Sequence, residues 1–454
     1  MADNFIVANI TSREPGVSVN VYESGDVGLS LPNQKSLIWG FMQTGGTGTP
    51  NQIVRGLSQD AVDLQFKAAS MISQAYAAAR AAAPLGDIYL MPLLEPSGGT
   101  AQVVECEFAA APLNGVLGSN TSANAADTVY VRYRSRGVAV GFKAGDGFSA
   151  IATAVETAWN LLEAPAASVS RSGAKLSFTS PHKGAFDNGA LEVTFASKGA
   201  SGVAAICGTV TFSGVAAVAA SGSYTLTMGA KSVQATISDT NTAAQSATAL
   251  VNKFLAGSYP VRAAQPSSPS GVVTLFYVDG RPIRPTDFSG SLSGVTTQTA
   301  TLAKGTAGAG MPTLTDALAN LGASDTAYKA WSCFWLSTTE VSAVASHIEA
   351  ETASDQGAKG QVAIFCSTAS LAALLAADLV ESTTPRLSAT SRYVPLWAQS
   401  ACCAGWELTA RLAAAVGSES DQGKNYNGQE FTSTDAAPLA GIHPADQPSR
   451  DERN

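Results

Sequence analysis

The side chains able to serve as bases, nucleophiles or soft metal ligands are few: three histidines and six cysteines. Nucleophilic catalysis by Ser or Cys needs a base, normally His, held beside the nucleophile. His182 lies in the turn-like segment SPHKGAFDN, His347 stands between Ser346 and Ile348 in a helical pattern, and His443 falls in a Pro-rich tail. None has a G-x-S-x-G elbow for company. Cys106, Cys207, Cys333, Cys366, Cys402 and Cys403 show no C-x-x-C spacing, whereas zinc needs ligands paired at close spacing. Cys333 and Cys366 stand in apolar strand-like runs and read as small core residues, and Cys402-Cys403 reads as helix packing beside Trp406. Cys106 and Cys207 leave a subunit-linking disulfide open. The Gly45–Gly48 loop follows a strand but lacks both G-x-G-x-x-G and a G-K-[ST] ending, with no helix directly after it. Gly417–Lys424 fails the same test, with Asn425 where Ser or Thr would stand. The acid pairs Glu349/Glu351 and Asp451/Glu452 read as solvated positions. The expectation is a non-enzyme with no metal and no cofactor; a hydrolase built on His182 or His347 is the rival.

Charge narrows the partners. Charged residues make up 14% of the 454, where soluble domains carry roughly 25%. So few charges suggest a surface largely hidden in contacts with other subunits. A net charge of −8 argues against nucleic acid, because phosphate binding needs a Lys/Arg footprint. Arg132, Arg134 and Arg136 alternate along a strand and read as its solvent face. The opening MADNFIVANITSREPG is too acidic, and its apolar run too short, for a signal peptide. Gly202–Gly222 is uncharged for 21 residues, yet its Gly, Ser and Thr and the alternation at Val210 and Phe212 fit buried strands better than a spanning helix. No membrane insertion is expected.

The elements that must position these residues fall into an order. Residues 1–35 read as an extended arm in which Val17, Val19 and Val21 alternate with Ser18, Asn20 and Tyr22. No tight hairpin follows, so this strand is expected to pair with something distant or with another chain. Ser36–Phe41 is a short apolar strand, Asp60–Ala82 a helix with Val62, Phe66, Ile72, Ala75 and Ala79 inward, and Ile88–Leu94 a buried strand. From about 101 to 304 the chain turns strand-rich and repeats itself. DTVYVRY, GVAVGF and a helix bearing Phe148, Ile151, Ala152, Val155, Trp159 and Leu162 return 95 residues later as SYTLTM, SVQATI and a helix bearing Ala243, Ala247, Leu250, Val251 and Phe254. Each copy then returns to strands, Lys175–Thr179 and Val272–Val278.

The α/β rhythm resumes after Gly308, with a helix capped by Thr313, strands Trp331–Leu336, Val362–Cys366 and Ser391–Pro395, and helices opened by Thr338 or Thr339 and at Ser370–Val380 and Ala401–Val416. The fold class expected is a mixed α/β core, 36–100 and 305–417, split in sequence by two tandem β-rich α+β inserted domains, 101–206 and 207–304, with extended terminal arms. From Ser418 the chain reads as tail or linker.

In this order the segments resemble the sheath protein of a contractile phage tail, in its Mu-like branch. EPGVSVNVYESGDVGLSLPNQKSLIWGFMQTGGTGTP is similar to that family's opening, and LGDIYLMPLLEPSGGTA to the motif that enters its inserts. HKGAFDN resembles the turn closing the first insert, GAGMPTLTDALANLG the return to the core, and PLAGI with PSRDERN the run toward a C-terminal region. The family continues past that last motif, so further strands and a C-terminal arm are expected beyond Asn454. The resemblance implies a self-assembling virion protein, made in the bacterial cytoplasm, that forms hexameric rings stacked helically around a tail tube. Contraction would drive the tube through the host envelope for genome delivery. Implied partners are further copies of the chain, the tube protein, and baseplate and tail terminator proteins at the ends. The residues Val17, Ser18, Val19, Asn20, Val21 and Tyr22 would add a strand to a neighbour's sheet. A tailocin or type VI secretion sheath is the same machine in another system; a virion protein whose inserts bind host glycans is the reading from a different class.

Overall fold

The computed structural model describes residues 35–134, 136–162, 165–185, 189–229, 231–322, 328–333, 343–344, 346–348, 350, 362–367, 393–397 and 405–418. The arm strand expected at Val17–Tyr22, the helix expected at Ser370–Val380, Cys402, Cys403, His443 and the tail after Ser418 lie outside the described residues.

The chain opens with β1 (Lys35–Phe41), β2 (Val54–Arg55), α1 (Gln59–Phe66), α2 (Met71–Ala82) and β3 (Asp87–Leu93). A first β-rich run follows: β4 (Ala101–Ala110), β5 (Asp127–Tyr133), β6 (Arg136–Phe142), α3 (Phe148–Asn160), β7 (Ser168–Ser172), β8 (Lys175–Lys183) and β9 (Leu191–Phe195). A second comprises β10 (Val203–Ser213), β11 (Val218–Met228), β12 (Lys231–Ile237), α4 (Ala243–Leu255), β13 (Val261–Ala264), β14 (Val272–Tyr277), β15 (Phe288–Val295) and β16 (Thr299–Lys304). Last come α5 (Thr315–Gly322), β17 (Ala330–Cys333), β18 (Val362–Ser367), β19 (Tyr393–Trp397) and α6 (Gly405–Ser418).

β1 is apolar on both faces, as a strand must be when helices cover a parallel sheet on both sides. It pairs in parallel with β3 on one edge and with β17 on the other. β18 and β19 extend the sheet in parallel, and β2 closes the far edge antiparallel, giving the order β19-β18-β17-β1-β3-β2. One face of β1 lies under α2 and α6. A Cβ on Gly40 would sit 2.7 Å from the Ile72 Cα, so only glycine lets α2 cross at backbone distance. Beside it, the Ser36 hydroxyl donates to the Ala413 carbonyl at 3.0 Å, and Ser332 shares a 2.8 Å hydrogen bond with Thr409. Those couples satisfy buried hydroxyls against α6. Trp39 and Trp331, with ring centroids 6.1 Å apart, fill the opposite face.

The single helix expected over Asp60–Ala82 is two. Lys67 takes a left-handed φ of 74° and its N–H closes α1 on the Asp63 carbonyl; the Ser70 hydroxyl then accepts from the Ser73 N–H to start α2. Both halves still bury Val62, Phe66, Ile72, Ala75 and Ala79, since the break keeps their faces on one sheet. Leu314, whose carbonyl accepts from the Leu318 N–H, precedes α5 where Thr313 was the expected cap.

Residues 101–304 repeat in structure as in sequence. Arg136 of β6 maps to Lys231 of β12 and Phe148 of α3 to Ala243 of α4, each 95 residues on. The three-stranded sheet β6-β5-β9 has its counterpart in β12-β11-β15. The boundary expected between 206 and 207 is corrected, because it falls inside β10. That strand pairs antiparallel with β4, from Val203↔Ala110 to Ile206↔Glu107, and fuses the copies into the continuous order β13-β14-β10-β4-β8-β7, with β16 also on β10. The apolar faces of α3 and α4 meet in one cluster that holds Trp159, Phe178, Leu226 and Leu250. Cys106 and Cys207 lie inside it, and burial pushes both thiols well up from their ordinary range. Neither reaches the surface, which closes the subunit-linking disulfide left open by the sequence.

Adding one methyl at Gly40 should force α2 off the sheet. Gly40→Ala is expected to lower unfolding stability in urea by about 1–3 kcal/mol, while Gly98→Ala should stay within about 0.5 kcal/mol. Nothing lies within 4 Å of a Cβ placed at Gly98.

Candidate functional site

In open parallel sheets, ligands bind outside the carboxyl ends of the strands, where the strand order changes direction. Here the chain steps from β1 to β3 on one side and later to β17 on the other. Helices that follow parallel strands present their N-termini at that end, and such a terminus suits an anion. Side chains of the β-rich module occupy this place.

His182, on β8, is buried against α2. Its Nε2 accepts the Met71 N–H at 2.8 Å, and its Nδ1 lies 2.6 Å from the Glu95 Oε1. An acceptor Nε2 carries no proton, so the proton is on Nδ1 and is donated to Glu95. The first turn of α2 is thus capped twice, by the Ser70 hydroxyl from its own chain segment and by an imidazole from 111 residues away. The Phe41 ring, at the carboxyl end of β1, closes the other side at 5.9 Å. A carboxylate on Nδ1 is the arrangement that orients a catalytic histidine. Its Nε2 is engaged by a backbone amide, however, and has no lone pair left for a nucleophile. The sequence placed His182 in a turn; β8 continues to Lys183 and carries it into the core, because Ser180 and His182 keep the alternation of Leu176 and Phe178.

Arg134 is the second contact and corrects the expected solvent face. Arg132 and Arg136 are half-buried, but Arg134 is fully buried. Tyr133 pairs with Arg136, so Arg134 stands in the connecting turn, with a φ of 55°, outside the strand alternation. Its Nη2 donates to the Ser180 hydroxyl at 2.5 Å. The guanidinium lies over the rings of Tyr133 and Trp406, 5.2 and 5.4 Å from their centroids. Gly189 makes room for it: a Cβ there would lie 2.3 Å from the Arg134 Cγ. Gln102 ties the same layer together by donating to the Gly189 carbonyl at 2.6 Å and the Tyr133 hydroxyl at 3.1 Å. Trp406 opens α6, so the module touches the N-terminal turns of both α2 and α6. The cue in the sequence was RSRG between two alternating runs, a turn rather than more strand.

The remaining candidates lie elsewhere. His347 places its ring 5.9 Å from Trp331, in the parallel-sheet unit. The Gly45–Gly48 loop packs on the end of α1, where the Gly48 N–H donates to the Gln65 carbonyl at 2.9 Å; a Cβ on Gly46 would strike that oxygen. The Gly46 and Gly48 amides donate to backbone carbonyls, those of Gln43 and Gln65, and not to a phosphate cradle. Cys333 is buried in β17. Among the described residues no three of His, Cys, Asp and Glu are grouped to hold a metal ion, and no helix is long and apolar enough to cross a membrane.

No protein-family model matches the chain, and no curated protein matches it. Among solved structures, the crystal structure of the flagellar cap protein FliD from Helicobacter pylori is similar over 43% of this chain, at 14% identity and a TM-score of 0.14. The chain spans 54% of that one, about half of its length. A likeness of that size fixes neither fold nor function.

The stack of Arg134 on Trp406 should be energetically coupled. A double-mutant cycle of Arg134→Met and Trp406→Leu, read by urea unfolding, is expected to give about 0.5–2 kcal/mol of interaction energy. Strict additivity would remove the contact from the account.

Proposed function

We propose that the chain is a structural subunit of a contractile tail sheath, polymerising as hexameric rings stacked around a tail tube and shortening to drive the tube into a host cell. The observation that carries this reading is the parallel sheet built from both sides of a β-rich module, taken with the order of sequence motifs that resemble the Mu-like family. In this reading 36–100 and 305–417 form a discontinuous sheath core, 101–304 decorates it, and Val17–Tyr22 adds a strand to a neighbouring subunit. The module supports that division of labour. Thr100 and Ala309 exchange backbone hydrogen bonds at 2.9 and 3.0 Å, so the chain leaves and re-enters the core at one point. An insertion of that kind leaves the core's other faces open for subunit contacts.

A sheath needs two packings of nearly equal subunits with a downhill step between them. Burying several hundred more Å² per subunit, at roughly 25 cal/mol per Å², would supply on the order of 10 kcal/mol before costs, without a nucleotide. Strands donated between neighbours would hold subunits together through the change, because backbone pairing tolerates side-chain rearrangement.

Purified protein mixed with isolated tail tubes should coat them, giving a wider particle of constant diameter in electron micrographs and co-sedimenting protein. Deleting Met1–Tyr22 should leave a folded protein that no longer coats. Bare tubes with the intact protein would end the sheath reading, and coating by the deleted protein would end the arm assignment.

A further inference from the structure

We infer that His182 is a proton-sensitive latch that fastens the β-rich module to the parallel-sheet unit, an inference that does not rest on the sheath reading. The latch is one nitrogen. His182 Nε2 accepts the Met71 N–H, and Met71 is the first residue of α2. A second proton on the imidazole can go only to Nε2, since Nδ1 already donates to Glu95. Two N–H groups would then face each other at 2.8 Å, inside protein, at the positive end of a helix. The contact must break, and the imidazolium must turn away from α2.

Groups face the imidazole from each element packed against it. From the segment after β3, the Glu95 carboxylate faces Nδ1 at 2.6 Å. From α2 come the partial positive charge of the helix N-terminus and the Met71 amide. From β1 comes the uncharged Phe41 ring. Along β8, the Arg134 guanidinium sits on Ser180, two residues away on the same strand face; Lys183 is exposed. Acid therefore converts a cap into a repulsion at the junction that also holds Arg134 on Trp406, and a protonated His182 loosens the module there.

Glutamine separates the latch from general acid unfolding. The side-chain carbonyl oxygen introduced by His182→Gln reaches where Nε2 stood and accepts the same N–H without titrating; His182→Ala offers no acceptor. Amide exchange at Met71 in the full chain, corrected for intrinsic pH dependence, is measured from about pH 7.5 to about pH 5. The wild-type protein should lose protection at least about tenfold across that window, H182Q should keep it, and H182A should lack it at both ends. Nitrogen NMR of the wild-type protein at neutral pH should show the proton on Nδ1. Equal protection of Met71 at both ends in the wild type, or equal loss in H182Q, would overturn the latch.

Discussion

The parallel sheet depends on the pairing of β1 with β17. Ser36 and Ala330, 294 positions apart, are hydrogen-bonded neighbours in one parallel ladder. Without that ladder β3 and β2 would be a fragment and β18 and β19 an edge with nothing to extend. Closing so long a loop costs less than its length suggests, because each doubling adds only about 0.6 kcal/mol. The effective loop is shorter still. Residues 101–304 hold a hydrophobic cluster of their own, and the bonds between Thr100 and Ala309 hold the ends of that segment together.

That arrangement explains why the module is fastened and not merely attached. Parallel sheets gather helix N-termini at the carboxyl ends of their strands, leaving amides that need partners. In many α/β folds a ligand answers that need. Here His182 answers it on α2, and Arg134 packs on the first turn of α6 through Trp406. Chemistry resembling a catalytic dyad thus serves as a joint, with Glu95 fixing the tautomer and the Met71 amide filling the acceptor.

Much of the framework was legible in residue patterns. Strands with apolar residues on both faces, such as β1 and β3, and the apolar stripes of α3 and α4 follow from alternation and helical period, which local chemistry dictates. The repeat at 95 residues was visible because both copies keep the same turns. Other features depend on contacts that no window of sequence contains. The break at Lys67 hangs on a left-handed residue and a serine cap inside an otherwise continuous apolar stripe. The fusion of the two copies rests on β10 pairing with β4, a long-range choice that erased an expected boundary. Arg134 looked like a strand's solvent face because alternation cannot show where a hairpin turns. His182 could be noticed as rare, but its partner amide lies 111 residues upstream.

The central claim is that the parallel-sheet unit is one folding body interrupted by the module. It is tested most directly by replacing residues 101–308 with a short glycine-containing turn that joins Thr100 to Ala309. Urea unfolding of this shortened chain would be followed by tryptophan fluorescence, which reports on Trp39, Trp331, Trp335, Trp397 and Trp406, all outside the removed segment, and by far-ultraviolet circular dichroism. The account predicts a single cooperative transition, coincident by both probes, at lower stability than the full chain because α2 has lost its imidazole cap and α6 its arginine. A gradual change with no transition, or two probes that disagree, would contradict it and make the module part of the core.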